Sequence, residues 1–394
     1  MNYFQKIKTA SGKNYSSIFK FTGLFIAYKS YCMYQHDSAD QIISYKPIME
    51  DGRDNTLVED SGLLVDRFRP SFLVLSGLGQ SIYGATRRGK RPGYQNELLK
   101  LPDGGQIRLQ SIIHPDNDNK GVVVIIPGIT GDGYKNYVIN TAKNSIKNGY
   151  SVYIVNHRGL CDTPLSTPLT YHGGSSFDTK AALEHIVSEH PDQPIYGVGY
   201  SLGSNILGNY IGEEGENCIL SGAALVCCPF KTDEASKKVE SSNFGLISRW
   251  LARCCKKTIQ KHEEMYPLFL QEHNIELSSI LKEIKKLRDF DDKITAKQFG
   301  YSCVMDYYQK CSIVSKMKNI KIKTLFISAL DDPFFGPDVI PHSEFQKNEN
   351  LYLIATSGGG HVGFHDTVLS KDQWHNKPMI KFFNYLSSSE SRMF

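Results

Sequence analysis

A serine stands between two glycines in Gly199-Tyr200-Ser201-Leu202-Gly203, where the apolar run "PIYGVGY" ends and a helical pattern begins. A serine hydroxyl is a weak nucleophile. It needs a base to take its proton, and the base needs an acid to orient it. Two later runs supply both groups. "TLFISALDDPFF" ends on Asp331 and Asp332, and "LYLIATSGGGHVGF" ends on three glycines and His361. The chemistry implied is attack of Ser201 on a carbonyl carbon, with His361 moving the proton and Asp332 holding the imidazole. Asp332 is preferred to Asp331 because it stands one residue further out and Pro333 biases it toward an extended backbone. Asp331 is then left to hydrogen-bond the loop.

Negative charge developing on the carbonyl oxygen needs N–H donors. The glycine-rich turn "IIPGITGDG" offers one at Ile129, and Leu202 beside the nucleophile offers the other. No G-K-[ST] closes that turn, so it does not read as a phosphate loop. No metal and no organic cofactor is called for.

Such groups must be delivered by a scaffold. From about residue 97, short apolar runs such as "GVVVIIPG", "YSVYIVNHRG" and "GAALVCCPF" alternate with helical patterns at 134–148, 176–190 and 202–213. That alternation predicts an α/β fold: a mostly parallel sheet with helices on both faces. A sharp strand-to-helix turn explains the glycines around Ser201, since side chains at those positions would collide. The alternation breaks at about 231–315. There Leu277, Ile280, Leu281, Ile284 and Leu287 fall at helical spacing and Trp250 and Leu251 lie in another helix, so this block reads as a helical cap inserted into the sheet domain.

The chain has 394 residues, 40% hydrophobic and 22% charged, with a formal charge of +4. This composition predicts a packed globular core, and the small net charge gives no argument for nucleic acid. Nine cysteines, an odd number without paired CxxC units, predict a reduced intracellular chain with no zinc knuckle. No secretory signal is apparent, so the expected location is cytoplasmic or membrane-associated rather than secreted.

Residues 1–62 read as a separate N-terminal segment and linker ahead of a catalytic domain at 63–394. Within the segment, Ile18, Phe21, Leu24, Phe25, Tyr28 and Cys32 share one helical face. Lys20 and Lys29 interrupt it too closely for the ~20 apolar residues of a membrane span. It reads either as a helix docked on the protein or as a peripheral membrane contact. Residues 37–62 are polar, acidic and linker-like.

The chain resembles the AB hydrolase 4 family of α/β-hydrolase-domain proteins over roughly residues 68–385. "LPDGGQIRL", "PGITGDGYKNYV", "NHRGLCDTPLSTPLTYHGGSSFDT", "GVGYSLGSNILGNYIGEEG", "LRDFDDKITAKQFGY", "LDDPF" and "GGGHVGF" carry the resemblance. It implies the α/β-hydrolase fold, a triad at Ser201, Asp332 and His361, and a lipid or other hydrophobic ester as substrate, with the cap shaping the acyl pocket. "SGLGQSIYG" departs from the family at Gly79 and Ser81, and the glycine-rich turn departs at Asp132. Acyl transfer to an alcohol on the same triad, and lipid binding without catalysis, are the alternative readings. His361 and Asp366 form an H-x₄-D spacing associated with acyl transfer. Arg158 reads as a structural ion pair or an anionic head-group contact.

Overall fold

The computed structural model describes residues 43–45, 68–71, 73–115, 119–266, 276–369 and 372–390. The amphipathic stretch at 16–34 and most of the linker at 37–62 lie outside them.

Among the described residues, nine strands form one sheet: β1 (Ile43–Tyr45), β2 (Gln95–Lys100), β3 (Gln106–Ile112), β4 (Val122–Ile126), β5 (Ser151–Asn156), β6 (Ile195–Tyr200), β7 (Gly222–Val226), β8 (Thr324–Ala329) and β9 (Leu351–Thr356). Their spatial order is β1-β9-β8-β7-β6-β4-β5-β3-β2. The six strands from β9 to β5 are parallel, while β1, β3 and β2 pair antiparallel at the two edges. β1 falls inside the stretch expected to be a linker. Its three residues pair with Leu353–Ala355 of β9, so the sheet reaches further upstream than the sequence pattern indicates.

The labelled helices are α1 (Gly77–Thr86), α2 (Asn136–Lys147), α3 (Phe177–Glu189), α4 (Leu202–Glu214), α5 (Thr232–Ser241), α6 (Leu246–Lys261), α7 (Leu277–Glu283), α8 (Val304–Cys311) and α9 (Asn376–Glu390). Alternate side chains of each strand enter opposite layers. Val123 and Ile125 join Val138, Ala142, Met379 and Phe383 on the α2/α9 face. Val122, Val124 and Ile126 join Leu183, Ile186, Leu207 and Ile211 on the α3/α4 face. This is why β4 is apolar throughout: both its faces are covered.

Between β7 and β8 the chain runs through α5, α6, α7 and α8, with a core of its own that includes Ala252, Cys255, Ile259, Ile280, Ile284 and Phe290. The spacing from Leu277 to Leu287 suggests one helix, but the structure breaks it. Ile284 turns to φ −68°, ψ 110°, and a short new helix starts at Leu287. The carboxylate of Asp289 accepts the N–H groups of Lys285 and Lys286 at 2.9 Å, which stabilises the break. Periodicity survives because both pieces bury the same side of the segment.

Candidate active site

β6 ends at Tyr200 and α4 begins at Leu202, so the whole reversal falls on Ser201. Its backbone takes φ 53°, ψ −120°, a left-handed conformation that costs of order 1–3 kcal/mol in a residue with a β-carbon. The flanking glycines permit the close approach. A β-carbon at position 203 would lie 2.2 Å from the carbonyl oxygen of Ile126, and one at 199 would lie 2.5 Å from Cα of Ser204. The turn leaves the serine hydroxyl at the carboxyl edge of the sheet, at the head of α4.

His361 and Asp332 arrive from the loops after β9 and β8. Ser201 Oγ lies 2.8 Å from His361 Nε2, and His361 Nδ1 lies 2.8 Å from Asp332 Oδ2. Nδ1–H donates to the carboxylate, which leaves Nε2 as acceptor for the serine proton. The other carboxylate oxygen of Asp332 accepts the N–H of Phe334 at 2.7 Å. The ring of Phe334 stacks on the imidazole with centroids 4.0 Å apart. Asp331 faces away from the imidazole, and its Oδ1 accepts the N–H of Gly360 at 2.9 Å. Burial pushes its carboxyl up to about 7, and the charge of Asp332 adds to the effect.

The turn at 127–131 faces the hydroxyl, and its donors can be accounted for one by one. Gly128 N–H donates to the hydroxyl of Tyr137 at 3.0 Å, Thr130 N–H to the hydroxyl of Tyr171 at 2.8 Å, and Gly131 N–H to the carbonyl of Gly128 at 2.8 Å. His157 Nε2–H donates to the carbonyl of Pro127 at 2.8 Å, and its ring stacks on Tyr171 at 4.3 Å. Burial lowers the His157 imidazole to about 4, so it stays neutral in this role. Among the described residues, the N–H of Ile129 has no such partner. It is the donor the turn leaves over, beside that of Leu202 at the start of α4.

Several of these supports have no sequence signature. Ser81, noted only as a departure from the family pattern, accepts the N–H of His361 at 2.7 Å and donates to the carbonyl of Gly77 at 2.7 Å. A β-carbon at Gly77 would lie 1.9 Å from the carbonyl oxygen of Asp331, so α1 is pressed directly onto the acid-bearing loop. Cys227 lies behind the base. Its sulfur accepts the N–H of Val362 at 3.3 Å, and burial holds its thiol far above the ordinary range.

Arg158 and Asp366, the other sequence candidates, lie elsewhere, and so do two further titratable groups, His365 and Cys161. Arg158 is 3% exposed and makes a two-pronged pair with Asp178 at 2.6 and 2.8 Å and a third bond to Asp103 at 2.7 Å, which is the structural reading. Asp366 pairs with Lys377 at 3.1 Å instead of joining the triad. His365 is fully buried against Tyr83, and burial lowers it to about 4. Burial also pushes the Cys161 thiol up to about 11, the wrong direction for a nucleophile. Among the described residues, two groups of three bring metal-ligand atoms within 4.8 Å of one another. One is Asp332 and His361 with Cys227. The other, Glu97, His185 and Glu189, forms an ion-pair cluster on the surface.

Two spaces meet at Ser201. An inner cavity of about 110 Å³ runs under the helical segment, lined by Ile129, Leu202, Val239, Leu251, Ile259, Phe290 and Phe335. Its polar exceptions include Asp291, whose carboxyl accepts the hydroxyls of Tyr308 and Thr295 at 2.8 and 3.0 Å and is raised by burial to about 6. An outer vestibule of about 640 Å³ opens past His361, Lys135, Arg88 and Trp250. The first space is lined mainly by apolar side chains and the second by a mixture of charged and apolar ones, and Ser201 lines both.

Residues 121–368 match the family model for the alpha/beta hydrolase fold. The human phospholipase ABHD3 is 29% identical over 329 residues, spanning 82% of this chain and 79% of that protein. The putative esterase YheT of Escherichia coli K12 is 32% identical over 280 residues, spanning 71% of this chain and 81% of its own. Among solved structures, the Pyrococcus furiosus esterase Pf2001 shares the fold with a TM-score of 0.50 and 15% identity, over 75% of this chain and 96% of that one. Together, the sheet order and these matches make the chain a member of the alpha/beta hydrolase family.

Proposed function

We propose that this protein is a serine hydrolase of carboxylic esters whose substrates are lipids. The carrying observation is the unbroken line from Ser201 Oγ through His361 to Asp332, with 2.8 Å at each step, on a serine whose backbone is held left-handed. Ser201 attacks the ester carbonyl while His361 takes its proton. The N–H groups of Ile129 and Leu202 receive the negative charge, and His361 returns the proton to the leaving alcohol. Water, activated by the same base, then releases the acid. The apolar inner cavity supports an acyl chain as the buried half of the substrate, and the names of the phospholipase and esterase relatives support a lipid ester. The helical segment at about 231–315 acts as the cap over that chain.

Among the described residues, no helix is long and apolar enough to cross a membrane. The one-sided apolar pattern at Ile18–Cys32 supports an additional peripheral contact with a bilayer, on an intracellular protein. The test is labelling by a fluorophosphonate together with an ester and phospholipid panel, in the parent and in Ser201→Ala. The variant is expected to fold, to escape labelling and to lose turnover by about 10⁴-fold or more. Equal turnover in both proteins would remove Ser201 from the mechanism.

A further inference from the structure

The mouth of the vestibule is flanked by two walls rich in positive charge. The first is α6 and the turn before it. From Ser242 to Lys261 the sequence holds no acidic residue. Arg249, Arg253 and Lys257 are exposed, and none has a carboxylate partner among the described residues. At the end of α6, Lys261 pairs with Asp162 at 3.0 Å, and other surface cations are paired in Lys180–Glu214, Lys316–Glu213 and Lys237–Asp233. The second wall is α1 and the loop after it. From Phe68 to Asn96 there is again no acid, and Arg88, Lys90 and Arg91 are exposed. Arg88, Arg91 and Lys135 all reach the vestibule.

Large apolar side chains lie among these charges. Leu246 and Trp250, one turn apart on α6, are 59% and 48% exposed, and Ile82 on α1 is 54% exposed. The turn entering α6 passes through three successive left-handed residues, Asn243, Phe244 and Gly245. It leaves Phe244 92% exposed, a conformation unfavourable for a phenylalanine and an exposure unfavourable in water. α6 already buries its opposite stripe, Cys255 and Ile259 in a cluster with Ile280, Ile284 and Phe290, and Ile247 and Leu251 in one with Val239 and Phe335. The exposed stripe is therefore not needed for folding. Trp250 belongs to both surfaces, since it also lines the vestibule that contains Ser201 and His361.

We propose that this face docks on an anionic lipid bilayer, with Phe244, Leu246 and Trp250 entering the interface and the cations of α6 and the α1 wall facing the head groups. The occupant follows from chemistry: an apolar cluster ringed by unpaired Lys and Arg matches an anionic membrane surface. The inference rests on the lipid-ester reading in that docking sets the mouth of the site against the phase that holds the substrate.

The chain contains its own reporter. It has two tryptophans. Trp374 is 2% exposed, whereas Trp250 lies on the proposed face. Full-length Ser201→Ala protein is mixed with vesicles of seven parts phosphatidylcholine to three parts phosphatidylglycerol. The expected result is a blue shift of tryptophan emission and quenching by brominated acyl chains. Both should weaken on pure phosphatidylcholine and reverse in high salt. Phe244→Asp combined with Arg249→Glu should lower apparent vesicle affinity by about tenfold. In the Ser201-bearing protein the same pair should leave hydrolysis of a water-soluble short-chain ester unchanged, which also shows that the variant folds. Vesicle binding without tryptophan quenching would put the contact on another surface and overturn the proposal. So would equal quenching on neutral vesicles, or a blue shift that follows protein concentration without vesicles and so reports a second copy on this face. Docking is read on a catalytically silent protein, so failure of the parent chain in the soluble-ester assay would fall on the hydrolase reading alone.

Discussion

Ser201, Asp332 and His361 leave three strands of one sheet within a few residues of their ends, whereas the cavity they open into is walled largely by helices that touch no strand register. At the sheet edge, position is set by hydrogen bonds: 2.8 Å from serine to imidazole, 2.8 Å from imidazole to carboxylate, and 2.7 Å from the backbone of His361 to Ser81. In the segment between β7 and β8, position is set by apolar packing around Cys255, Ile259 and Phe290, and one helix is interrupted at Ile284. Proton transfer needs placement to a few tenths of an ångström, which directional bonds on a sheet provide. Housing an acyl chain needs volume and dryness, which many packings provide. Chemistry and selectivity are therefore separable here, and substitutions in the two regions should fail in different ways.

The largest expected effect tests that division within one dipeptide. Asp332→Asn leaves the imidazole in the wrong tautomer and is expected to lower kcat by about 10³–10⁴. Asp331→Asn, one residue away, should stay within about tenfold because it preserves the acceptor for Gly360 N–H. Steady-state kinetics on one soluble ester would decide this, and reversed effects would exchange the roles of the two acids.

Next in size is a change that touches no substrate. Tyr171→Phe deletes only the oxygen that accepts Thr130 N–H, freeing the turn that carries Ile129. It is expected to lower kcat by about tenfold with KM unchanged, less than the 10²–10³ that follows loss of a donor itself. A change in KM alone would mean that the turn serves binding.

In the helical segment between β7 and β8, the expected loss is of choice and not of rate. Val239→Phe adds bulk to the inner cavity. It should reduce kcat/KM for long acyl esters by about tenfold and leave an acetyl ester within about threefold. A parallel loss on both would show that this segment also positions the Ser201–His361 pair.

The smallest effect is in stability. Burial raises the carboxyl of Asp331 to about 7 from an ordinary 3.8. Between those values the folded chain holds a proton that the unfolded chain has lost, so this group's contribution falls as pH rises through the window. Asn carries no such charge. The melting temperature of Asp331→Asn should rise relative to the parent from pH about 4 to about 7 and then level off. A constant difference across the window would show that Asp331 is charged throughout.

These contrasts also explain what could be read from the sequence. Ser201, Asp332 and His361 stand out in the sequence as candidates because each follows its own apolar run beside local glycine or proline. The alternation of buried strands and helices was legible because both faces of β4 are covered, leaving an uninterrupted apolar run. Ser81, Tyr137, Tyr171 and His157 were not. Each works through a partner brought near by the fold, from nine residues away for Tyr137 and Gly128 to 280 for Ser81 and His361. The break at Ile284 was hidden because the buried positions keep helical spacing across it. β1 was missed because three residues are too few to show a period.

The grip of α1 on the loops after β8 and β9 bears on where a working fragment could be cut. The stretch shared with the family model begins at residue 121 and contains every member of the triad. The hydroxyl that moors the base, at position 81, and the glycine that seats the acid-bearing loop, at 77, both lie upstream of it. Phe68 lies further back still, packed between Phe364 and Trp374. A piece trimmed to the shared boundary would keep all the reactive atoms and lose their anchorage. A fragment begun at residue 121 is therefore expected to lose activity, whereas one begun ahead of Phe68 keeps these three anchors.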